Sequence, residues 1–294
     1  MSQDPSLESI GGHTQIVGLV GWPVEHSVSP AMHNAAFAAL GLNWRYVALP
    51  VEPDRVSEAL QGVRALGMRG VNITVPHKQA ALKCMDELTP AAQAIGATNT
   101  LILRNGRMIG HNTDAGGFLR ALRQDGFDPD GCKALMLGAG GAARAVAYAL
   151  AEAGCHLTIL NRTVQRARDL ATTMGQVSAS ASVHGDTLSL DTLRELAPTA
   201  DLVINATSLG MWPNVDGSPW PRELAFPSGA FYFDLVYNPR LTRLGQQARD
   251  AGARVGDGLA MLVHQGVEAF VEWTGVEPPA DIMMAACEQA LGGN

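Results

Sequence analysis

The stretch KALMLGAGGAARAVAYALAEAGCHLTILNRT, residues 133–163, leaves this chain few folds to choose from. An apolar run, Ala134–Leu137, leads into Gly138-Ala139-Gly140-Gly141-Ala142-Ala143. A helical pattern runs on to Gly154, and a second apolar run, CHLTIL, follows it. Strand, glycine turn, helix and strand make a βαβ unit, and such units build parallel sheets covered by helices. The glycines permit the tight turn and let a helix N-terminus approach a pyrophosphate, while Ala143 allows close packing of helix on strand. A glycine-rich turn alone says little. Flanked by both strands and the helix, it predicts dinucleotide binding.

The end of the second strand decides which dinucleotide. An NAD site normally holds an Asp or Glu about 20 residues past the glycines, to bind the ribose 2′-hydroxyl. Counting from Gly141 gives 161 − 141 = 20, and the residue there is the neutral Asn161. Arg162 and Arg166 lie beside it, with Thr163 between them. Guanidinium groups bind phosphate in a forked geometry and stack on adenine, so the pattern predicts NADP.

The alternation extends through the chain. QIVGLVG predicts a strand, and SPAMHNAAFAALG a helix with Ser29 as N-cap, Pro30 at the first helical position and Gly41 as stop. Then come a strand (WRYVALPV), a helix (DRVSEALQGVRALG), a strand (GVNITVP) and a short helix (KQAALKCMDE). ATNTLILRNGRMIGHN predicts an antiparallel hairpin around Asn105-Gly106. AGGFLRALRQ, GLAMLVHQGVEAFVEWTG and DIMMAACEQAL predict helices. At 294 residues the chain has length for two α/β domains, and the boundary is expected near Asp114.

A net charge of −7 argues against nucleic acid, which selects basic surfaces. No uncharged apolar run reaches the ~20 residues a bilayer requires, so no membrane span is expected. The start, MSQDPSLESIGG, is polar and reads as no signal peptide. Cys84, Cys132, Cys155 and Cys287 are far apart in sequence and show no metal-type spacing, which predicts reduced thiols, no metal and a cytoplasmic location. Small molecules or other proteins remain as partners.

In the first half, polar residues gather at the C-terminal ends of strands, where open α/β sheets bind ligands. Ser27 and Ser29 follow the first strand; Asn72, Thr74 and Lys78 follow the third; Asn99 lies in the hairpin and Thr113 and Asp114 at its exit. Lys78 opens a helix, where the backbone dipole disfavours a cation. Each has a bland reading beside the functional one: caps for Ser29 and Asp114, backbone partners for Asn72 and Thr74, a solvated lysine for Lys78.

The motifs GWPVEHSVSPAMHN, GVNITVPHK, GATNT, GHNTDAGG, GAGGAAR, NRTVQRA, NATSLGM, FDLVYNP and DGLAMLVHQG occur in an order that resembles the shikimate dehydrogenases over nearly the whole chain. The resemblance implies NADP-dependent, reversible reduction of 3-dehydroshikimate to shikimate, on the route to chorismate and the aromatic amino acids. It implies an N-terminal substrate domain with a mostly parallel mixed sheet, 1–114 completed by 259–294. It also implies a Rossmann-type NADP domain, 115–258, with a cleft between the two. Ser27 and Ser29 would hold the substrate carboxylate, helped by Tyr237. Asn72, Thr74, Asn99, Asp114 and Gln265 would bind ring hydroxyls and the keto oxygen. Lys78 and Asp114 would be the catalytic pair. Gly138, Ala139, Gly140, Gly141, Ala142, Asn161, Arg162, Thr163 and Arg166 would contact NADP, with Leu235 and Gly258 near the nicotinamide. His26, His77 and His111 are then read as structural. The alternatives are a quinate/shikimate dehydrogenase of broader substrate or NAD use, and a nucleotide-binding regulator without turnover. A monomer or homodimer is expected.

Overall fold

The computed structural model describes residues 10–292. Residues 1–9, the bulk of the N-terminal stretch read for a signal peptide, lie outside them. The chain divides into two compact units, Met1–Thr113 with Gln265–Asn294, and Asp114–His264.

The first unit contains β1 (Gln15–Gly21), α1 (Ser29–Ala39), β2 (Trp44–Pro50), α2 (Val56–Ala65), β3 (Gly70–Ile73), α3 (Lys78–Leu82), β4 (Glu87–Leu88), α4 (Pro90–Ile95), β5 (Thr100–Arg104) and β6 (Arg107–His111). Its sheet runs β2-β1-β3-β5-β6-β4. Strand β5 is antiparallel to both neighbours and the other pairings are parallel. The β5–β6 turn carries positive φ at Asn105 (52°) and Gly106 (77°), the backbone that an Asn-Gly hairpin requires. One face of the sheet buries Val20, Leu60, Val71, Ile73, Leu101 and Met108 in a single apolar cluster.

Three local readings of the sequence are corrected. Ser29 is the first helical residue of α1 and not its cap, because Val28 already has helical dihedrals (φ −86°, ψ −2°). The hydroxyl that serves this helix start is Ser27 Oγ, which accepts from Ser29 N at 3.2 Å. Helix α3 has only five residues, whereas the pattern predicted ten. The last of the missing residues are captured by the sheet: Asp86 N donates to Met108 O (2.9 Å), its carboxylate accepts from Met108 N and pairs with Arg64, and Glu87 in β4 adds beside β6. So short a helix sums few peptide dipoles, and the conflict with a lysine at its start is correspondingly small.

The second unit contains α5 (Asp114–Gln124), β7 (Lys133–Leu137), α6 (Gly141–Glu152), β8 (His156–Asn161), α7 (Val164–Met174), β9 (Ser182–Thr187), α8 (Leu190–Leu196), β10 (Leu202–Asn205), β11 (Phe231–Asp234), α9 (Arg243–Asp250) and β12 (Arg254–Asp257). Helix α10 (Gly258–Thr274) begins here and ends in the first unit, which α11 (Ala280–Gly292) completes by packing on α1. The sheet is wholly parallel, in the order β12-β11-β10-β7-β8-β9. Counted from β7 as the first strand, this is the 3-2-1-4-5-6 order of a Rossmann-type sheet, with its switch point between β7 and β10. The fold also joins two cysteines that are distant in sequence. Cys132 and Cys155, just before β7 and β8, stand with Sγ atoms 3.2 Å apart, both free and buried. Their mutual hydrogen bond and burial push the Cys132 thiol far up from its usual range, which keeps it inert.

Beneath the first sheet lies an unusual histidine. His33 of α1 is fully buried, stacked on Tyr46 (centroids 4.4 Å apart, planes 3° apart) and flanked by Phe37, Phe270 and Trp273. Neither ring nitrogen has a hydrogen-bond partner. Burial lowers its pKa from 6.5 to about 3, so the ring is a neutral aromatic plate. The unfolded chain takes up a proton near pH 6.5 that the folded one refuses until about pH 3. Stability due to His33 is therefore present above pH 6.5 and lost as pH falls, by up to about 1.4 kcal/mol per pH unit. His33→Phe should show a flatter decline between pH 6 and 4 by urea unfolding; an unchanged slope contradicts this.

Candidate active site

In the first unit the strand ends hold a buried polar network. Asn72, at the end of β3, donates through Nδ2 to Asn99 O (3.3 Å) and Thr100 Oγ1 (3.1 Å). Its Oδ1 accepts from the Tyr46 hydroxyl at 2.8 Å. Thr100 Oγ1 donates to Asn99 Oδ1 (3.0 Å), which also accepts from Thr113 N (2.8 Å). Asn99 Nδ2 donates to Thr113 Oγ1 (2.9 Å) and, more loosely, to Gln265 Oε1 (3.4 Å). Asn72, Asn99 and Gln265 are thus brought together with Thr113, which the sequence reading placed at the strand ends without a role, and with two residues it did not single out, Tyr46 and Thr100. Tyr46 and Thr100 lay in recognised strand or motif segments, where they looked like ordinary strand residues.

Ser27 and Ser29 are joined at the start of α1 by the bond already described. Thr74 follows β3, its N–H donating to Val20 O (2.9 Å) and its carbonyl accepting from His77 N (2.9 Å). Lys78 opens α3 half-buried, and its carbonyl accepts from Thr98 N (3.0 Å). Asp114 opens α5 in the second unit and is 6% exposed, a buried acid at a helix start where the dipole favours it. His77 Nε2 donates to Val51 O (2.8 Å), and His111 lies between Thr89 Oγ1 (3.0 Å) and the Glu268 carboxylate (3.1 Å).

At the switch point of the second unit, Gly138 has φ +112° and lies against the segment after β10; a Cβ there would stand 2.9 Å from Ala206 O. Gly140 and Gly141 differ. A Cβ on either meets no atom within 4 Å, and no side chain caps α6. The space over this helix start is open and its N–H groups face it without a capping side chain, an arrangement suited to a pyrophosphate. Ala139 precedes these positions and Ala142 follows them. At the end of β8, Asn161 Nδ2 donates to Thr163 O (3.0 Å), while Arg162 and Arg166 are exposed around the first turn of α7. Position 161, where an NAD site holds an acid, carries a neutral asparagine, and the residues fit NADP. Gly258 packs on the β11 exit so tightly that a Cβ would meet Leu235 O. Tyr237 lies two residues on, half-buried.

Those loops are held by a residue within the FDLVYNP motif that the sequence reading did not single out. Asp234, 4% exposed, accepts from Tyr232 Oη (2.6 Å), Thr242 Oγ1 (2.6 Å), Val236 N (3.0 Å) and Asn205 Nδ2 (3.0 Å). Asn205 in turn accepts from Thr207 N (3.1 Å) and Thr207 Oγ1 (2.7 Å). One carboxylate therefore ties the loops after β10 and β11. Burial pushes its pKa up, against the pull of its four donors.

This sheet order, with an open glycine turn at its switch point, defines the second unit as a Rossmann-type dinucleotide-binding unit. Family models described as "Shikimate dehydrogenase substrate binding domain", "Shikimate / quinate 5-dehydrogenase" and "Shikimate 5'-dehydrogenase C-terminal domain" match residues 19–101, 121–211 and 258–288. The shikimate dehydrogenase (NADP(+)) of Moorella thermoacetica is 48% identical, over 96% of this chain and 95% of its own. A shikimate dehydrogenase solved with NADP+ has a TM-score of 0.88 at 39% identity, covering 96% of this chain and 98% of the other. That of Thermus thermophilus, solved with NADP(H) and shikimate, has a TM-score of 0.85 at 43% identity, covering 95% and 100%. The chain belongs to the shikimate dehydrogenase family.

Removing the Asp234 carboxylate strands two hydroxyls, an amide and a backbone N–H. Asp234→Ala should cost about 3–5 kcal/mol in urea unfolding, with Asp234→Asn intermediate. A loss below about 1 kcal/mol would mean the loops are held by other contacts.

Proposed function

We propose that this chain is an NADP-dependent shikimate dehydrogenase, an oxidoreductase acting on a CH–OH group that reversibly reduces 3-dehydroshikimate to shikimate. The observation that carries the reading is the buried network of Asn72, Thr100, Asn99, Thr113 and Gln265. So many polar groups inside a core are costly unless satisfied, and they suit a ligand rich in hydroxyls. The names of the relatives agree with it.

Residues 1–114 with 259–294 are read as the substrate domain and 115–258 as the NADP domain. Ser27, Ser29 and Tyr237 seat the carboxylate, and Asn72, Thr74, Asn99 and Gln265 take the ring oxygens. Gly138 to Ala142 accept the pyrophosphate; Asn161, Arg162, Thr163 and Arg166 take the ribose phosphate; Leu235 and Gly258 border the nicotinamide. NADPH, when bound, supplies the hydride. Negative charge then grows on the former keto oxygen, and the Lys78 ammonium stabilises it and donates the proton. Asp114 orients the lysine and holds a substrate hydroxyl. No described helix is long and apolar enough to cross a membrane. A cytoplasmic location and a monomer or homodimer belong to the same reading.

Purified protein should oxidise shikimate with NADP in preference to quinate or NAD. Absence of turnover with every combination would instead favour a nucleotide-binding regulator. Lys78→Met should lower kcat by about 10²–10⁴-fold with little change in substrate KM, and Asp114→Asn similarly. A folded Lys78→Met protein within a few-fold of the parent would remove lysine from the chemistry. Arg162→Ala should raise NADP KM by about 10-fold or more and leave shikimate KM unchanged; equal efficiency of the parent with NAD and NADP speaks against the phosphate assignment.

A further inference from the structure

We propose that Tyr46 is a positioning residue for the substrate: its hydroxyl fixes the Asn72 amide so that Asn72 meets the ligand only as a hydrogen-bond acceptor. The inference rests on the reading of Asn72 as a substrate ligand and adds the residue that sets its polarity.

Tyr46 is held at three levels. Its backbone is clamped by Asn34 of α1, with Tyr46 N donating to Asn34 Oδ1 (2.8 Å) and Asn34 Nδ2 donating to Tyr46 O (2.9 Å). Its ring lies flat on His33 at 4.4 Å, which gives the unbonded imidazole a role as a packing plate. Its hydroxyl, 2% exposed with the rest of the residue, donates to Asn72 Oδ1 at 2.8 Å.

The arithmetic of donors then fixes Asn72. A side-chain amide has two N–H donors and two lone pairs on oxygen. The partner of one N–H, Asn99 O, is a carbonyl and can only accept, so the amide cannot be reversed. The other N–H goes to Thr100 Oγ1. Tyr46 takes one lone pair of Oδ1, and a single lone pair remains for a ligand. Asn72 therefore accepts from a substrate hydroxyl and rejects an analogue that offers only an acceptor at that position.

The experiment is a double-mutant cycle on steady-state kinetics of the full chain with Tyr46→Phe, Asn72→Ala and both. Tyr46→Phe keeps the ring on His33 and removes only the hydroxyl. It should raise shikimate KM about 5–10-fold, leaving kcat within about two-fold and NADP KM unchanged. In the Asn72→Ala background, the same change should cost less than about two-fold, because a residue acting through Asn72 has nothing left to position. Should Tyr46→Phe fail to fold, Thr100→Val releases the opposite end of the amide and should raise shikimate KM likewise; the share of that rise routed through Asn72 should disappear in the Asn72→Ala background, while the share routed through Asn99 persists. Unchanged shikimate KM, or penalties that multiply in the double variant, overturns the inference. A parent that does not turn over shikimate defeats the functional reading, and this inference with it; a parent that does confines any failure to Tyr46.

Discussion

A polar group taken out of water must find a partner inside the protein, and that requirement organises the strand ends of both units. In the first unit it makes one network of Asn72, Thr100, Asn99 and Thr113, which links β3, β5 and the exit of β6. In the second it gathers Tyr232, Thr242, Val236 and Asn205 on one carboxylate. In each case the chain places hydrogen-bonding residues where parallel strands end, and their mutual bonds hold the loops there in one arrangement. Rigid loops at these edges are what a binding site needs, since ligand contacts made from a mobile loop cost ordering entropy.

The same requirement makes His33 informative. A histidine with two unpaired nitrogens in an aromatic box violates it, and the box responds by keeping the ring neutral. Its flat contact with Tyr46 gives a structural reason for a planar residue there. It also connects the apolar core beneath the sheet to the polar network at its edge, through a single phenol.

Much of this was legible in the sequence because it is set by local chemistry. β1 was read to its ends from seven consecutive residues, an apolar run with a polar start and a proline turn after it. Asn105-Gly106 fixed the hairpin because few other residue pairs tolerate two consecutive positive φ angles. The glycine turn before α6 and the missing acid at Asn161 were equally plain. Helix α3 was overextended because helical periodicity says nothing about a neighbouring strand edge, and β6 claimed Glu87 and Leu88 through backbone bonds with little sequence signature. The helix α4 went unread, although Thr89 caps it by accepting from Ala92 N and Gly96 ends it with φ +69°. At six residues it lies below the length at which periodicity is visible.

By itself the sequence determined that the sheets are largely parallel with one antiparallel hairpin, where the nucleotide turn falls, and which residue types stand at the strand ends. These follow from steric limits on φ and from burial periodicity, which act over a few residues. Tertiary structure alone decided that Tyr46, 26 positions before Asn72, orients its amide, and that Asp234 bonds with residues both before and after it in the chain. It also decided that Cys132 and Cys155 meet before neighbouring strands. Hydrogen bonds between side chains depend on distance and angle in space. Sheet order and register set those distances, and no local pattern encodes them.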